Sequence, residues 1–219
     1  PEDRLVKIPK GVGYDIAASV MLKGMTAQYL LRRTYRVKKG DVILFHAAAG
    51  GVGSIATQWA NALGATVIGT VGSKEKAKLA KAQGCHHVIN YNEKDFVAQV
   101  ARITKKQGVD VVYDSVGKDT FPGSLDCLKP FGMWVSFGQS SGALPDINLG
   151  ILSQKGSLFA TRPTLMTYVA KREDLVKTAR EMFRVIANGT VKVKVSQQYA
   201  LKDAAKAHRD LEGRKTTGA

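Results

Sequence analysis

The sequence predicts an α/β domain built on a doubly wound parallel sheet, and three observations carry that prediction. Short apolar runs alternate with helix-length segments across residues 40–161. The first run, Val42-Ile43-Leu44-Phe45, leads into the small-residue turn Ala48-Ala49-Gly50-Gly51-Val52-Gly53. Helical periodicity resumes directly after that turn. Apolar strands without polar alternation belong to sheets covered on both faces, and helices between parallel strands require right-handed crossovers.

In chain order, residues 17–33 read as a helix leading into a first strand over 42–46. A helix over 52–63 stops at Gly64 and carries Ile55, Ala56, Gln58, Trp59 and Ala60. Residues 65–70 form the second strand, 74–83 a helix and His87–Asn90 a short third strand. The helix over 95–104 has Phe96, Val97, Val100 and Ile103 on one face. Val109–Asp114 is the fourth strand, followed by a helix over 119–128 and strands at 133–137 and 157–161. A long helix over 166–187 ends at Asn188-Gly189. Residues 191–199 alternate, with Val191, Val193 and Val195 opposite Lys192, Lys194 and Ser196. That is a half-buried strand with no sequential partner. A helix over 201–211 closes the chain. The flanks read as parts of a second domain. The polar start at Pro1, and an end at Ala219 without a closing strand, suggest a piece of a longer protein.

Composition narrows the function classes. With 219 residues, 44% hydrophobic and 23% charged, the chain can bury a core, and no apolar run is long enough to span a bilayer. Nor does a secretory signal open it, so the expected compartment is the cytoplasm. Cys85 and Cys127 have no partners at metal spacing and read as reduced structural thiols. His86 and His87 follow Cys85, but neighbours on a strand point to opposite sides, so no metal is expected. The net charge of +15 is the outlier. Interleaved acids make it a solvated basic surface that attracts an anionic cofactor; a nucleic-acid surface is the competing reading.

The chemistry gathers at the ends of the strands. Backbone N–H groups of Gly51 and Val52 at a helix start suit a pyrophosphate, Gly50 permits close approach and Gly53 close helix packing. Ala48 stands where the dinucleotide fingerprint has its first glycine. An NAD site places an acid about 20 residues further on, to hold the ribose 2′-hydroxyl. Here Val71-Gly72-Ser73-Lys74-Glu75-Lys76 has no acid at the strand tip. Small residues leave room for a 2′-phosphate, Ser73 can bond it, and Lys76 or Lys74 can neutralise it, which favours NADPH. Glu75 reads as a helix-dipole partner. Tyr91 ends the third strand, either against the adenosine phosphate or as a surface residue. Asp114-Ser115-Val116-Gly117 and Phe137-Gly138-Gln139-Ser140-Ser141-Gly142 put small residues at two further strand ends. His46 reads as structural, and no acid–base or nucleophilic set emerges, so the catalytic residues stay unassigned. Hydride transfer needs mainly orientation and exclusion of water.

These residues together resemble the zinc-independent quinone oxidoreductases of the medium-chain dehydrogenase/reductase superfamily, the group that includes zeta-crystallin. The matching stretches include Leu22-Lys23-Gly24-Met25-Thr26-Ala27, the run from His46 to Gly53, Val88-Ile89-Asn90-Tyr91, Val112-Tyr113-Asp114-Ser115-Val116-Gly117, Gln154-Lys155-Gly156-Ser157-Leu158 and Thr161-Arg162-Pro163. The resemblance implies a Rossmann dinucleotide-binding domain over 23–163. It also implies a remnant of a GroES-like catalytic domain over 1–22 and a return towards that domain over 164–219, with roughly a hundred amino-terminal residues absent. NADPH-dependent quinone reduction without zinc is implied, with low activity for this piece alone. So are cofactor contacts by Gly51, Val52, Gly72, Ser73, Lys76, Tyr91, Val116, Phe137, Ser140 and Arg214, and a homodimer through the strand at 157–161. An enoyl or alkenal reductase of the same superfamily, and an RNA-binding zeta-crystallin-like protein, are the alternatives.

Overall fold

The computed structural model describes residues 1–213. Helix α1 (Tyr14–Tyr29) widens into a π-type turn over Leu30–Thr34 before the chain enters the sheet. Then follow β1 (Val42–Phe45), α2 (Gly51–Ala62), β2 (Thr66–Val71), α3 (Lys74–Ala82), β3 (His87–Asn90), α4 (Phe96–Ile103) and β4 (Val109–Asp114). Beyond these lie α5 (Gly123–Asp126), β5 (Leu128–Ser136), α6 (Gly150–Gln154), β6 (Phe159–Thr161), α7 (Leu165–Tyr168), α8 (Arg172–Ala187) and α9 (Ala204–Glu212).

The six strands lie in the order β3-β2-β1-β4-β5-β6, and every neighbouring pair is parallel. The chain winds outward from β1 to β3, returns to β4, and winds outward again. This reversal opens a crevice between the carboxyl ends of β1 and β4, where open α/β sheets bind ligands. One face of the sheet is covered by α1, α2, α3 and α8, around Ile43, Phe45, Val67, Tyr113, Trp59 and Met182. The other face carries α4, α5 and α6, around Leu44, Ile68, Val112, Leu125 and Trp134. The predicted fold class is the one observed.

Five elements differ from the sequence expectation. The helix expected at 119–128 shrinks to α5, because Pro122 has no N–H to donate and residues 117–121 form a turn. β5 starts early, at Leu128, and is irregular: its pairing jumps from Val109↔Leu128 to Val111↔Met133. Phe131, at φ 62°, sits within that jump. β6 is shorter than expected, three residues. The helix expected over 166–187 is broken at 169–171. There Arg33 donates to the Tyr168 carbonyl at 2.7 Å and Arg4 to the Val169 carbonyl at 2.8 Å, occupying acceptors that a continuous helix would use. Residues 191–199 form no strand among the described residues. Val191 is buried and the lysines are exposed as the alternation requires, but the backbone pairs with a side chain. Lys192 exchanges hydrogen bonds with Gln58 at 3.0 and 3.1 Å.

Candidate functional site

The turn after β1 closes tightly. Gly50 N–H donates to the Ala47 carbonyl at 2.9 Å, and Ala47 itself sits at φ 53°. Gly50 is the N-cap of α2, no side chain caps that end, and the first intrahelical bond is Ser54 N–H to the Gly50 carbonyl at 2.8 Å. The N–H groups of Gly51, Val52 and Gly53 therefore have no intrahelical acceptor, the condition for holding an anion. A Cβ on Gly53 would lie 2.5 Å from the Ala47 carbonyl oxygen and 2.6 Å from that of Ala48. Only glycine lets α2 approach β1 this closely. Ala48 is accommodated in the first-glycine position because Gly69 on β2 leaves it room: a Cβ on Gly69 would be 2.7 Å from the Ala48 methyl.

At the tip of β2 the structure brings Gly72, Ser73, Lys76 and Tyr91 together. The Tyr91 ring lies over Gly72, whose Cβ would stand 2.5 Å from the tyrosine Oη. Asn92, which the sequence reading passed over, fixes this corner by donating to the Gly72 carbonyl at 2.8 Å. Ser73 is the N-cap of α3 and accepts from Lys76 N–H at 3.2 Å. The Glu75 carboxyl is held below the usual range by its own backbone N–H, with the Ser73 hydroxyl as the next cause. That agrees with a dipole-partner role at the helix start. Lys74 pairs with Glu93 at 3.9 Å, whereas Lys76 forms no ion pair among the described residues.

The tips of β4 and β5 are laced into one surface. Phe137 N–H donates to the Asp114 carbonyl at 2.8 Å, Ser140 N–H to Ser115 at 3.1 Å and Ser141 N–H to Val116 at 2.9 Å. Val116 and Phe137 are half-buried, Phe137 with its ring 5.8 Å from that of Phe45 on β1. Arg162 clamps the end of β5, donating to the Ser136 carbonyl at 3.0 Å and the Gly138 carbonyl at 2.8 Å. Arg214 lies outside the described residues.

Beneath the crevice runs a buried polar network that the sequence did not announce. The Asp114 carboxylate, fully buried, accepts from Val116 N–H, Gly117 N–H, the Thr120 hydroxyl and the Ser124 hydroxyl at 2.8–3.1 Å. His46 joins it through Nε2···Ser124 Oγ at 3.1 Å and Nδ1···Thr70 Oγ at 2.9 Å. Burial lowers the His46 pKa against the opposing pull of Asp114. Burial raises that of Asp114, but His46, the Thr120 hydroxyl, Gly117 N–H and the Ser124 hydroxyl outweigh it and leave the carboxyl below its usual value. With His46 neutral at pH 7, the hydrogen-bond donors hold the carboxylate. Ser124 lies between the acid and the imidazole, sealed from solvent, so the trio is a bracket for the β4 loop rather than a nucleophile. His46 is structural, as expected.

Among the described residues no three His, Cys, Asp or Glu side chains converge as metal ligands. Burial pushes the Cys85 thiol up to about 11 and that of Cys127 to about 12, so both rest as neutral thiols at neutral pH. No described helix is long and apolar enough to cross a membrane. Part of the basic excess gathers away from the crevice. A groove of about 520 Å³ between α1 and α8 is lined by Arg32, Arg33, Arg36, Lys177, Arg180 and Arg184, against Asp174 and Glu181.

Residues 51–187 match the zinc-binding dehydrogenase family. The chain is 54% identical to a quinone oxidoreductase of Salmonella typhimurium, covering 99% of this chain and 67% of that one. It is 48% identical to a 2-haloacrylate reductase of a Burkholderia species, over 100% of this chain and 66% of the relative. The crystal structure of Escherichia coli quinone oxidoreductase complexed with NADPH superposes with a TM-score of 0.95 at 52% identity, over 99% of this chain and 67% of that one.

Proposed function

The chain belongs to the zinc-binding dehydrogenase family, among its quinone oxidoreductases, and from that premise we propose that it is the NADPH-binding portion of an oxidoreductase that passes reducing equivalents to a quinone. The observation that carries the choice of cofactor is the tip of β2. Gly72, Ser73 and a Lys76 with no ion pair among the described residues stand there without a carboxylate at residues 70–74. The site fits the dinucleotide: three N–H groups without intrahelical acceptors start α2, and a glycine at 53 seats that helix close to β1.

In this reading Gly50, Gly51, Val52 and Gly53 shape the pyrophosphate cradle, and Ser73 and Lys76 hold the 2′-phosphate. Tyr91 flanks them over Gly72. Val116, Phe137 and Ser140 line the crevice further along, and Arg214, outside the described residues, is kept as a cofactor contact on the family resemblance alone. Bound there, NADPH supplies a hydride; the chain's own residues bind it, orient it and screen one face from water. We take the reaction to be zinc-independent on the resemblance to the zinc-independent quinone oxidoreductases.

We further assign residues 23–163 to the dinucleotide domain, 1–22 and 164–219 to segments that meet a catalytic domain, and the homodimer contact to the strand at 157–161. We take the protein to be cytoplasmic and its substrate to be a small-molecule quinone; no described helix is long and apolar enough to cross a membrane. The third of the relatives' length outside this match is where we place the quinone-side residues. Reduction of an activated double bond, as the name of the Burkholderia relative states for that protein, is the close competitor, at lower identity. Nucleic-acid binding rests on charge alone.

Titration of the protein with both nucleotides checks the cofactor assignment. NADPH should bind at least about tenfold more tightly than NADH, and Lys76→Ala should erase the difference, one charge-assisted contact being worth that much. Equal affinities for the two nucleotides in the parent protein would sink the assignment.

A further inference from the structure

We propose that Lys23, on α1, is a cofactor-anchoring residue whose ammonium pairs with the pyrophosphate at the start of α2. The inference rests on the NADPH reading and adds to the site a residue from outside the glycine turn.

Three observations meet at this point. First, the Lys23 side chain crosses the open face of Gly51. A Cβ built there would stand 2.5 Å from Lys23 Cδ, 2.7 Å from Cε and 3.0 Å from Nζ. The missing side chain at position 51 thus does a second job besides permitting backbone approach to a ligand, since it makes the channel in which the lysine lies. Second, no described carboxylate pairs with Lys23, although the side chain is half-buried. Third, the end of α2 beneath it has neither an acidic residue in its first turn nor a side-chain cap. A cation held against the positive end of a helix dipole, beside N–H groups with no acceptor, is electrostatically unfavourable by itself. An anion placed between the ammonium and those N–H groups turns both unfavourable terms favourable. A diphosphate, with charge on both phosphorus centres and oxygens facing both ways, has the chemistry to do so.

The location separates Lys23 from Lys76. Lys76 stands at the tip of β2 and addresses the 2′-phosphate, present in NADPH and absent from NADH. Lys23 stands at α2 and addresses the diphosphate, present in both and absent from adenosine 2′-monophosphate.

Calorimetric titration of the 219-residue protein with these three ligands tests the assignment, using Lys23→Met, which keeps the stem and removes the charge, and Lys23→Arg, which restores it. The expected result is an equal loss for NADPH and NADH in Lys23→Met, on the order of tenfold. Adenosine 2′-monophosphate should bind unchanged, the salt dependence of NADPH binding should become shallower, and Lys23→Arg should recover affinity. Parent-like NADPH affinity in Lys23→Met overturns the assignment. So does a loss shared by adenosine 2′-monophosphate, which would mean that the lysine only props the fold. If the parent protein binds no NADPH, the cofactor reading itself fails and the assignment with it.

Discussion

At the scale of single residues, two positions carry more than their share. The missing Cβ of Gly53 would meet backbone atoms of Ala47 and Ala48, so Gly53→Ala cannot be relieved by a side-chain rotation. It must push α2 off β1. We expect a loss of about 2 kcal/mol or more in urea unfolding, although alanine is the better helix former. A variant as stable as the parent would refute the close approach. His46 gives a pH prediction. Its pKa is lowered on folding, so between the folded value and the ordinary 6.5 the unfolded chain binds the extra proton. Stability should therefore fall as pH drops below about 6.5. Asp114, also lowered on folding, adds a loss in the same direction at more acid pH, once the unfolded carboxylate begins to protonate near 3.8. Urea midpoints between pH 5 and 8 should show a flatter dependence in His46→Gln than in the parent. The comparison isolates His46 from His87, whose pKa is shifted downward as well. Identical slopes would remove His46 from the account.

At the scale of elements, α1 and α8 are locked by a glycine against a methionine. A Cβ on Gly24 would lie 2.5 Å from Met182 Sδ and 2.9 Å from its Cγ, with Met182 fully buried. Gly24→Ala should thus be unfavourable in the parent and become favourable once Met182→Ala has made room. The expected coupling is at least about 1 kcal/mol in a double-mutant cycle, and additive effects would mean the helices are not in contact there. This pairing was invisible in the sequence, and its invisibility marks a general boundary. Strands β1 to β4 and helices α2, α3 and α4 were readable within a residue or two, because apolar runs, helical periodicity and Gly64 are local signals. The break at 169–171 depends on Arg4 and Arg33, more than 130 positions away. The segment 191–199 shows the right alternation, yet alternation records burial and not pairing. The same holds at the site. The glycines and Lys76 proposed for it come from spacing, whereas the proposed Lys23, Asn92 and the Asp114 network acquire meaning only through partners that folding brings near.

At the scale of the whole molecule, the sheet ends on one side in β6, a three-residue strand bonded to β5 alone among the described residues. Its outer edge presents backbone groups without a partner in the sheet, and Phe159 is 57% exposed there. An edge of this kind invites pairing with another copy, and a two-fold axis would place two β6 strands antiparallel, extending six strands to twelve. The protein's own charge works against casual association, since +15 on each copy repels at long range. Only a surface that gains apolar contact and backbone hydrogen bonds together can overcome that repulsion. The long-range part is screened by salt, with a Debye length of about 8 Å near physiological ionic strength, so dimerisation should strengthen as salt is raised. Phe159→Lys removes the exposed ring and sets a charge beside its symmetry mate, so sedimentation should find a dimer for the parent and a monomer for the variant at micromolar concentration. Because β6 lies at the far end of the sheet from the tip of β2, NADPH affinity should be the same in both. A parent protein that sediments as a monomer at every salt concentration, or a variant that still dimerises, would mean that the edge is covered in some other way.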